Sequence, residues 1–288
     1  MNSITLLSYA KINVGLKVVG RRPDGYHSIR SLFQEVDLAD TLTFDRLLRN
    51  TVEVECDAPG VPSDSRNLAA RAAHLLKDEM GFKGGVRITL QKEIPVGAGM
   101  GGGSSNAAAT LNALNRLWNL GLSDGRFHAL AQQLGSDVPF FLSGGSALVS
   151  GRGEHIDPLR GIQNVCFVAV DPGYRVDTTW AYAKLEFALT EHTRYISFLN
   201  SVKASGCVNL KRLFDSIEND FLPVVSANYP AVSKVLARLE SAGSLCSSMT
   251  GSGSVLFGCF HDRIAAEHAA DQLKSAGYRA WPCQPRTI

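Results

Sequence analysis

The sequence of 288 residues predicts an α+β protein with room for one large domain or two medium ones. Two observations support this class. The first half is rich in alternating, strand-like segments, and the second half opens on a buried-strand pattern at 165–170 that several helical patterns follow. Between these halves the pattern weakens near 155–163, so we predict two domains, 1–158 and 159–288.

Alternation in the first half predicts strands at 4–9, 14–19, 41–45, 51–56, 86–91 and 146–150. Arg21–Gly25 has turn chemistry, because proline presets one dihedral angle and glycine tolerates positive φ. A helix over 68–80 is predicted between a capping Asn67 and a terminating Gly81. Further helices are predicted over 104–119, from Ser123 to near Gly135, and at 178–189, 209–218, 231–242 and 262–276.

Composition excludes several function classes. A formal net charge of +2 is too small to favour nucleic acid as a partner. No apolar run reaches the length of a membrane span, and Lys11 and Lys17 interrupt the apolar N-terminus, which we interpret as a strand. The six cysteines lack zinc-binding spacing and indicate reduced thiols. We therefore expect a cytoplasmic protein that binds a small molecule, without nucleic acid or membrane.

One glycine-rich segment, PVGAGMGGGSSNA from Pro95 to Ala107, lies between a predicted strand and a predicted helix. Glycine lets a ligand approach the backbone, and a helix start adds free N–H groups and its dipole. This pattern indicates a phosphate-binding loop, whose serine hydroxyls could reach a phosphate or Mg²⁺. The P-loop lysine is missing, and a lone G-x-G-x-x-G match is weak support for a dinucleotide site. A flexible linker is disfavoured by the flanking strand and helix.

Three further segments are ordinary when each is taken alone. Lys11 in A-K-I-N would be a surface cation, Asp137 in L-G-S-D-V-P-F-F-L a cap or turn residue, and Gly251–Gly253 in M-T-G-S-G-S a turn. Together with the glycine-rich segment, and in this order, they resemble the motifs of the GHMP kinases. The match runs over essentially the whole chain and is densest in 8–37 and 88–155.

The resemblance implies the GHMP kinase fold: an N-terminal domain like the second domain of ribosomal protein S5 and a ferredoxin-like C-terminal domain. Three strings resemble one branch of this family, which acts on a cytidine diphosphate-linked alcohol: R-R-P-D-G-Y-H-S-I-R-S-L-F-Q, G-G-G-S-S-N-A-A-A and L-G-S-D-V-P-F-F-L. That branch transfers the γ-phosphoryl group of ATP to the 2-hydroxyl of 4-diphosphocytidyl-2-C-methyl-D-erythritol. The implied cofactors are ATP as co-substrate and Mg²⁺, and we expect a monomer or a weak homodimer.

The resemblance also assigns roles to residues of this chain. Lys11 and Asp137 match the family's catalytic pair, a cation beside a carboxylate that accepts or orients the hydroxyl proton. Substrate binding falls to Asn13, Tyr26, His27 and Tyr182, with Trp180 as a rival of Tyr182. Ser105 is the candidate Mg²⁺ ligand, although nothing in the sequence fixes which serine binds the ion. ATP binding falls to the loop residues Pro95, Val96, Gly97, Ala98, Gly99, Met100, Gly101, Gly102, Gly103, Ser104 and Ser105.

Three alternatives stay open at this point. The chain could phosphorylate another small alcohol, such as homoserine or mevalonate. It could be a non-catalytic ATP sensor, although the retained Lys11 and Asp137 disfavour this. A Rossmann-type dehydrogenase is the third. Adenine recognition has no signature; Lys92 and residues near 55–70 are only neighbours of the loop, and Asn219-Asp220-Phe221 is interpreted as structural.

Overall fold

The computed structural model describes residues 2–185 and 193–287 of the chain, and the ten strands and ten helices below are those of these ranges. The strands are β1 (Ser3–Arg21), β2 (His27–Leu47), β3 (Val52–Cys56), β4 (Gly85–Gln91), β5 (Ser146–Gly151), β6 (His155–Leu159), β7 (Cys166–Asp171), β8 (Cys246–Met249), β9 (Leu256–Phe260) and β10 (Arg279–Cys283). The helices are α1 (Leu68–Met80), α2 (Gly102–Leu117), α3 (Asp124–Leu134), α4 (Phe140–Ser143), α5 (Thr178–Ala183), α6 (Arg194–Ser205), α7 (Leu210–Phe214), α8 (Phe221–Asn228), α9 (Ala231–Ser241) and α10 (Arg263–Ser275). The predicted α+β class is confirmed.

The chain folds into two compact units that interleave in sequence. The first comprises Met1–Ala10, Leu38–Val96 and Gly101–Ser143. The second comprises Lys11–Asp37, Gly97–Met100 and Gly144–Ile288. β1 and β2 therefore contribute residues to both units. These units are groups of residues in close contact and do not test the predicted domain boundary after residue 158, which stays a prediction.

In the first unit, α1 packs on the strands β3 and β4, and α2 and α3 pack against α1 and against each other. β4 is antiparallel to β2 and parallel to β3. Alanines dominate the contact between helices, as with Ala72 on α1 and Ala108 on α2, so their backbones approach closely. α1 begins and ends as predicted: the Asn67 side chain accepts from the N–H of Ala69 at 2.9 Å, and Gly81 has a φ of 59°.

In the second unit, β7 to β10 form an antiparallel sheet in the order β10-β7-β9-β8. Helices precede β8, and α10 lies between β9 and β10, which gives the βαββαβ arrangement of a ferredoxin-like domain. That part of the predicted fold is confirmed. The first half of β2 also belongs to this unit and pairs with β5, which in turn pairs with β6.

β1 is one long strand where the sequence predicted two, and the buried side chain of Tyr195 packs against its middle. β1 runs without a break through 4–9 and 14–19, and Gly15 adopts a φ of 90° within it. A Cβ at Gly15 would lie 2.4 Å from the ring of Tyr195, which is fully buried. The Tyr195 hydroxyl donates to the Val14 carbonyl at 2.6 Å and accepts from the Leu32 N–H at 2.9 Å. This side chain therefore supplies hydrogen bonds that strand pairing would otherwise provide.

The predicted helix over 209–218 is too long. α7 ends at Phe214, because the Glu218 carbonyl accepts from the Leu16 N–H at 2.7 Å and the Asp220 N–H donates to the Leu16 carbonyl at 3.0 Å. These backbone groups hydrogen-bond like a strand and cannot continue a helix. Residues 186–189 of the predicted helix 178–189 lie outside the described residues.

Two sequence-based expectations concern the whole chain. Each of the six cysteines is a free thiol, as predicted. Within residues 2–185 and 193–287, no helix has both the length and the apolar character needed to cross a membrane.

Candidate active site

The glycine-rich loop leads directly into α2. Gly97, Gly99 and Gly101 all have positive φ, of 65°, 85° and 72°. Gly101 is the N-cap of α2 and has no side chain with which to cap the first turn. The N–H groups of that turn are therefore available to an anion. The remaining predicted loop residues range from the buried Pro95, Ala98, Met100 and Ser105 to the exposed Val96.

Lys11 lies against this loop within the second unit. The residue is buried, with 3% of its surface exposed. Its ammonium group donates to the Gly99 carbonyl at 2.9 Å and to the side-chain oxygen of Asn13. It also lies 4.8 Å from the centre of the Phe33 ring, within range of a cation–π interaction. The prediction that Lys11 alone would be a surface cation is wrong, because these partners hold it in the interior.

Thr250 joins the third motif to the other two. Its hydroxyl donates to the Gly99 carbonyl at 3.1 Å and accepts from the Asn13 N–H at 3.0 Å. The structure therefore brings together Lys11 and Asn13 of the first motif, Gly99 of the loop and Thr250. Sequence reasoning quoted the motif around Thr250 but did not choose this residue as a site residue.

Asn219 holds the third motif in place. Its side-chain amide donates to the carbonyls of Met249 and Gly251, at 2.6 and 2.9 Å, and its side-chain oxygen accepts from the Phe221 N–H. All the hydrogen-bonding groups of this buried carboxamide are thus engaged except one lone pair. Its role is structural, as predicted, and it acts on the segment that contacts Gly99.

The residues predicted to bind the cytidine end lie in the second unit. The rings of His27 and Tyr182 are stacked, with centroids 4.7 Å apart and planes at 15°. Trp180, the rival of Tyr182, instead meets Tyr229 edge-on. Tyr26 follows the predicted turn and is 57% exposed, with the guanidinium of Arg152 4.9 Å from its ring centre. This arrangement favours Tyr182 over Trp180 as the second aromatic residue.

The imidazole ring of His27 is mainly neutral at pH 7. Partial burial lowers its pKa below the ordinary imidazole value, and the nearby charge of Arg21 lowers it further. A neutral imidazole offers one donor and one acceptor, which suits the edge of a pyrimidine base.

Asp137 and Ser105 belong to the first unit. Asp137 lies in the turn between α3 and α4 and is half-buried. Ser105, in the first turn of α2, accepts a hydrogen bond of 2.7 Å from the Ser8 hydroxyl. Behind Ser105 lies a buried ion pair between Lys92 and Asp40, which sequence reasoning had not predicted.

The acidic residue next to Ser105 in the hydrogen-bond network is Asp40, which has no free oxygen for Mg²⁺. Asp40 accepts from Lys92 and Asn106 through one oxygen, and from the N–H groups of Glu93 and Ile94 through the other. Its carboxylate is fully occupied and has no exposed surface. In the described part of the chain, no group of three or more His, Cys, Asp or Glu side chains could hold a metal ion. These residues do not fit a resident Mg²⁺ site.

Comparisons with known proteins identify the family. The description "GHMP kinases N terminal domain" matches residues 67–145, and "GHMP kinases C terminal" matches residues 208–279. A 4-diphosphocytidyl-2-C-methyl-D-erythritol kinase of Prosthecochloris aestuarii is 43% identical over 282 residues, which cover 97% of this chain and 96% of that protein. The chain belongs to the GHMP kinase family. A second relative of this GHMP kinase, bearing the same name and from Acaryochloris marina, is 39% identical over 96% of the chain and 93% of its own length.

Solved structures agree with this assignment. A crystal structure of 4-(cytidine 5'-diphospho)-2C-methyl-D-erythritol kinase matches this GHMP kinase with a TM-score of 0.81 and 35% identity, over 97% of the chain and 98% of its own. Homoserine kinase from Cytophaga hutchinsonii gives a TM-score of 0.80 at 19% identity, over 100% of the chain and 96% of its own. The second match shows the fold alone, and the predicted GHMP kinase fold is confirmed.

Substitution by alanine should have opposite effects on the free energy of unfolding at Gly99 and at Gly103. A Cβ at Gly99 would lie 2.3 Å from the Thr250 carbonyl oxygen at a φ of 85°, so Gly99→Ala should lower the free energy of unfolding by about 1–3 kcal/mol. In Gly103, within α2, a Cβ would meet only Leu68 at 3.5 Å, so Gly103→Ala should raise it by about 0.5–1 kcal/mol. Urea denaturation measures both. Equal effects of the two substitutions would contradict the close approach at Gly99.

Proposed function

We propose that this GHMP kinase transfers the γ-phosphoryl group of ATP to the 2-hydroxyl of 4-diphosphocytidyl-2-C-methyl-D-erythritol, in the non-mevalonate route to isoprenoid precursors. The observation that carries the proposal is an identity of 38–43% over nearly the whole chain to relatives named for this kinase. The hydrogen bonds that join Lys11, Asn13, Gly99 and Thr250 support it, because they link the three motifs of the family.

The loop from Pro95 to Ser105 is proposed to hold the phosphates of ATP. Phosphoryl transfer depends mainly on positioning and on neutralising charge. Backbone N–H groups beside Gly97, Gly99 and Gly101, together with those of the first turn of α2, provide donors that need no side-chain rearrangement. The fixed Gly99 carbonyl keeps this loop in register with Lys11 and Thr250.

Lys11 is proposed to stabilise charge on the transferred phosphoryl group. Its ammonium is buried and aimed by Asn13 and Gly99, so its electrostatic effect is stronger than that of a solvated lysine. Asp137 is proposed to accept or orient the proton of the attacking hydroxyl, a role that rests on the family resemblance of G-S-D-V-P-F-F.

The cytidine end is proposed to bind Tyr26, His27, Tyr182 and Asn13. The exposed ring of Tyr26 offers a face for stacking, and the stacked pair of His27 and Tyr182 offers a second aromatic surface with a polar edge. Asn13, whose carboxamide also donates to Ser31 at 3.2 Å, is held rigidly beside Lys11. It is proposed to hydrogen-bond the substrate.

Three further features complete the proposal. Mg²⁺ is expected to arrive with ATP, coordinated by the phosphates and water, where it would neutralise phosphate charge. The site of action is expected to be the cytoplasm, as the free cysteines indicate. A monomer or a weak homodimer, without nucleic acid, is the expected state.

A kinase assay with three alcohols side by side tests the function. We expect kcat/KM for 4-diphosphocytidyl-2-C-methyl-D-erythritol to exceed that for homoserine or mevalonate by at least about a thousandfold, because a site built to hydrogen-bond one substrate rejects others strongly. Release of ADP gives the rate, and phosphorus NMR identifies the 2-phosphate. A preference for homoserine or mevalonate, or ATP binding without transfer to any alcohol, would contradict the proposal.

Substitution of the catalytic pair should abolish most turnover. Lys11→Ala or Asp137→Ala should lower kcat by roughly two to four orders of magnitude, the range for a positioned charge or proton acceptor. Lys203→Ala, which removes an exposed ion pair with Asp157, is the control and should leave kcat unchanged. Near-normal kcat in Asp137→Asn would show that the carboxylate is not the proton acceptor.

Substitution of Tyr26 or Tyr182 should change KM for the cytidine-containing substrate but not KM for ATP. Tyr26→Ala or Tyr182→Ala should raise KM for the cytidine-containing substrate roughly five- to a hundredfold, the loss expected for base stacking, with KM for ATP unchanged. Trp180→Ala is the matched control, since this ring packs on Tyr229 and should affect stability alone. Equal increases in both Michaelis constants would reject the stacking role.

A further inference from the structure

Three consecutive residues at the start of α8 each contact a different part of the second unit. They are Asn219, Asp220 and Phe221, and we call them the α8 start. Asn219 donates to the carbonyls of Met249 and Gly251 and so fixes the third motif. The mechanism proposed above gives no task to Phe221, although its side chain is almost completely buried, with 1% of its surface exposed.

The α8 start is fixed to β1 as well as to the third motif. The Asp220 carboxylate accepts from the Val18 N–H at 2.8 Å and from the Lys17 ammonium at 2.5 Å. The Asp220 N–H also donates to the Leu16 carbonyl at 3.0 Å. Hydrogen bonds to an ionised group are stronger than those between neutral groups. The backbone that carries Phe221 is therefore held from two sides.

The ring of Phe221 contacts Tyr182 from this fixed position. The two ring centroids lie 4.8 Å apart with planes at 84°, the edge-on geometry that aromatic pairs favour. The ring of His27 is stacked on the same tyrosine and nearly parallel to it. Tyr182 is only half-buried, so one parallel and one perpendicular neighbour together restrict the rotation of its ring.

The helix that carries Tyr182, α5, is also tied to the third motif at its first turn. The hydroxyls of Thr178 in that turn and Ser252 in the third motif share a hydrogen bond of 2.9 Å. The body of α5 packs against α8. The third motif thus holds the beginning of this short helix, and Phe221 contacts the ring near its end.

Resting on the proposed function, we propose that Phe221 is a positioning residue that orients Tyr182 for the cytosine ring of the substrate. Stacking requires two flat surfaces to be aligned, and ordering a mobile side chain during binding costs affinity. A tyrosine ring that is already aligned avoids this cost. Because Asn219 fixes the third motif from the same point of the chain, the base-binding ring and that motif share one anchor. Phe221 acts through Tyr182 and need not touch the substrate.

Steady-state kinetics on a double-mutant cycle test whether Phe221 acts through Tyr182. Phe221→Leu keeps an apolar side chain and removes the ring. It should raise KM for the cytidine-containing substrate about two- to tenfold, the range for one aromatic pair, with KM for ATP unchanged. In the Tyr182→Ala background the same substitution should change KM by less than about twofold, because the ring that it positions is gone. Phe221→Met, whose flexible side chain fills core space, is the second variant and should also raise KM.

Phe260→Leu is the matched control, because Phe260 belongs to the same hydrophobic core and is also 1% exposed. It should lower the melting temperature, as Phe221→Leu does, without changing either Michaelis constant. Independent effects of Phe221→Leu and Tyr182→Ala that multiply in the double variant would make Phe221 a packing residue and overturn the inference. An unchanged KM in Phe221→Leu, or an equal rise in Phe260→Leu, would overturn it too.

Two further outcomes separate this inference from the proposed function. If Tyr182→Ala transferred phosphate to the 2-hydroxyl with an unchanged KM, the proposed reaction would stand, and the inference would be overturned because the ring has no base to align. Failure of the unmodified protein to phosphorylate the cytidine-containing substrate would overturn the proposed function, and this inference with it.

Discussion

The carbonyl oxygen of Gly99 is the point on which the arrangement of the candidate site depends. It accepts from the Lys11 ammonium and from the Thr250 hydroxyl, which come from opposite ends of the sequence. Both donors reach it because Gly99 has no side chain and its φ is positive. The backbone of Gly99 thus helps to fix the position of the Lys11 ammonium group. The loop therefore positions side chains in addition to leaving space for a ligand.

Two buried lysines show how this protein keeps charge in its interior. Lys92 pairs directly with the carboxylate of Asp40, and their attraction offsets the loss of water for both. Lys11 is held partly by neutral oxygens, those of Asn13 and Gly99. Neutral acceptors such as these orient the ammonium group through hydrogen bonds. The first lysine organises the fold around α2, and the second serves the proposed chemistry.

Local signals allowed much of the fold to be predicted from the sequence. The caps of α1 at Asn67 and Gly81 are set by neighbouring residues, as is the hairpin turn at Arg21–Gly25. The end of α7 could not be predicted, because Glu218 and Asp220 pair with Leu16, two hundred residues away in the chain. Hydrophobic periodicity indicates the secondary structure that a segment favours locally. It does not indicate which distant residues will hydrogen-bond to its backbone.

The same limit applies to the site. Lys11, the glycine loop and the third motif were recognisable because their residue types are unusual in their local context. Thr250 carries no such signal: a threonine before a glycine turn is common, and only its hydrogen bonds with Asn13 and Gly99 reveal its place in the site. The preference for Tyr182 over Trp180 stays a proposal, and it rests on the contacts of both rings.

The place of Tyr195 has a consequence for dissecting this enzyme into pieces. Its hydroxyl is satisfied by Val14 and Leu32, which lie near the start of the chain although they fold with the C-terminal half. A truncated polypeptide that began at residue 159 would expose that ring and leave its hydroxyl unmatched. Separate expression of the two halves would therefore yield an insoluble C-terminal piece, unless a peptide spanning residues 11–37 were supplied to complement it.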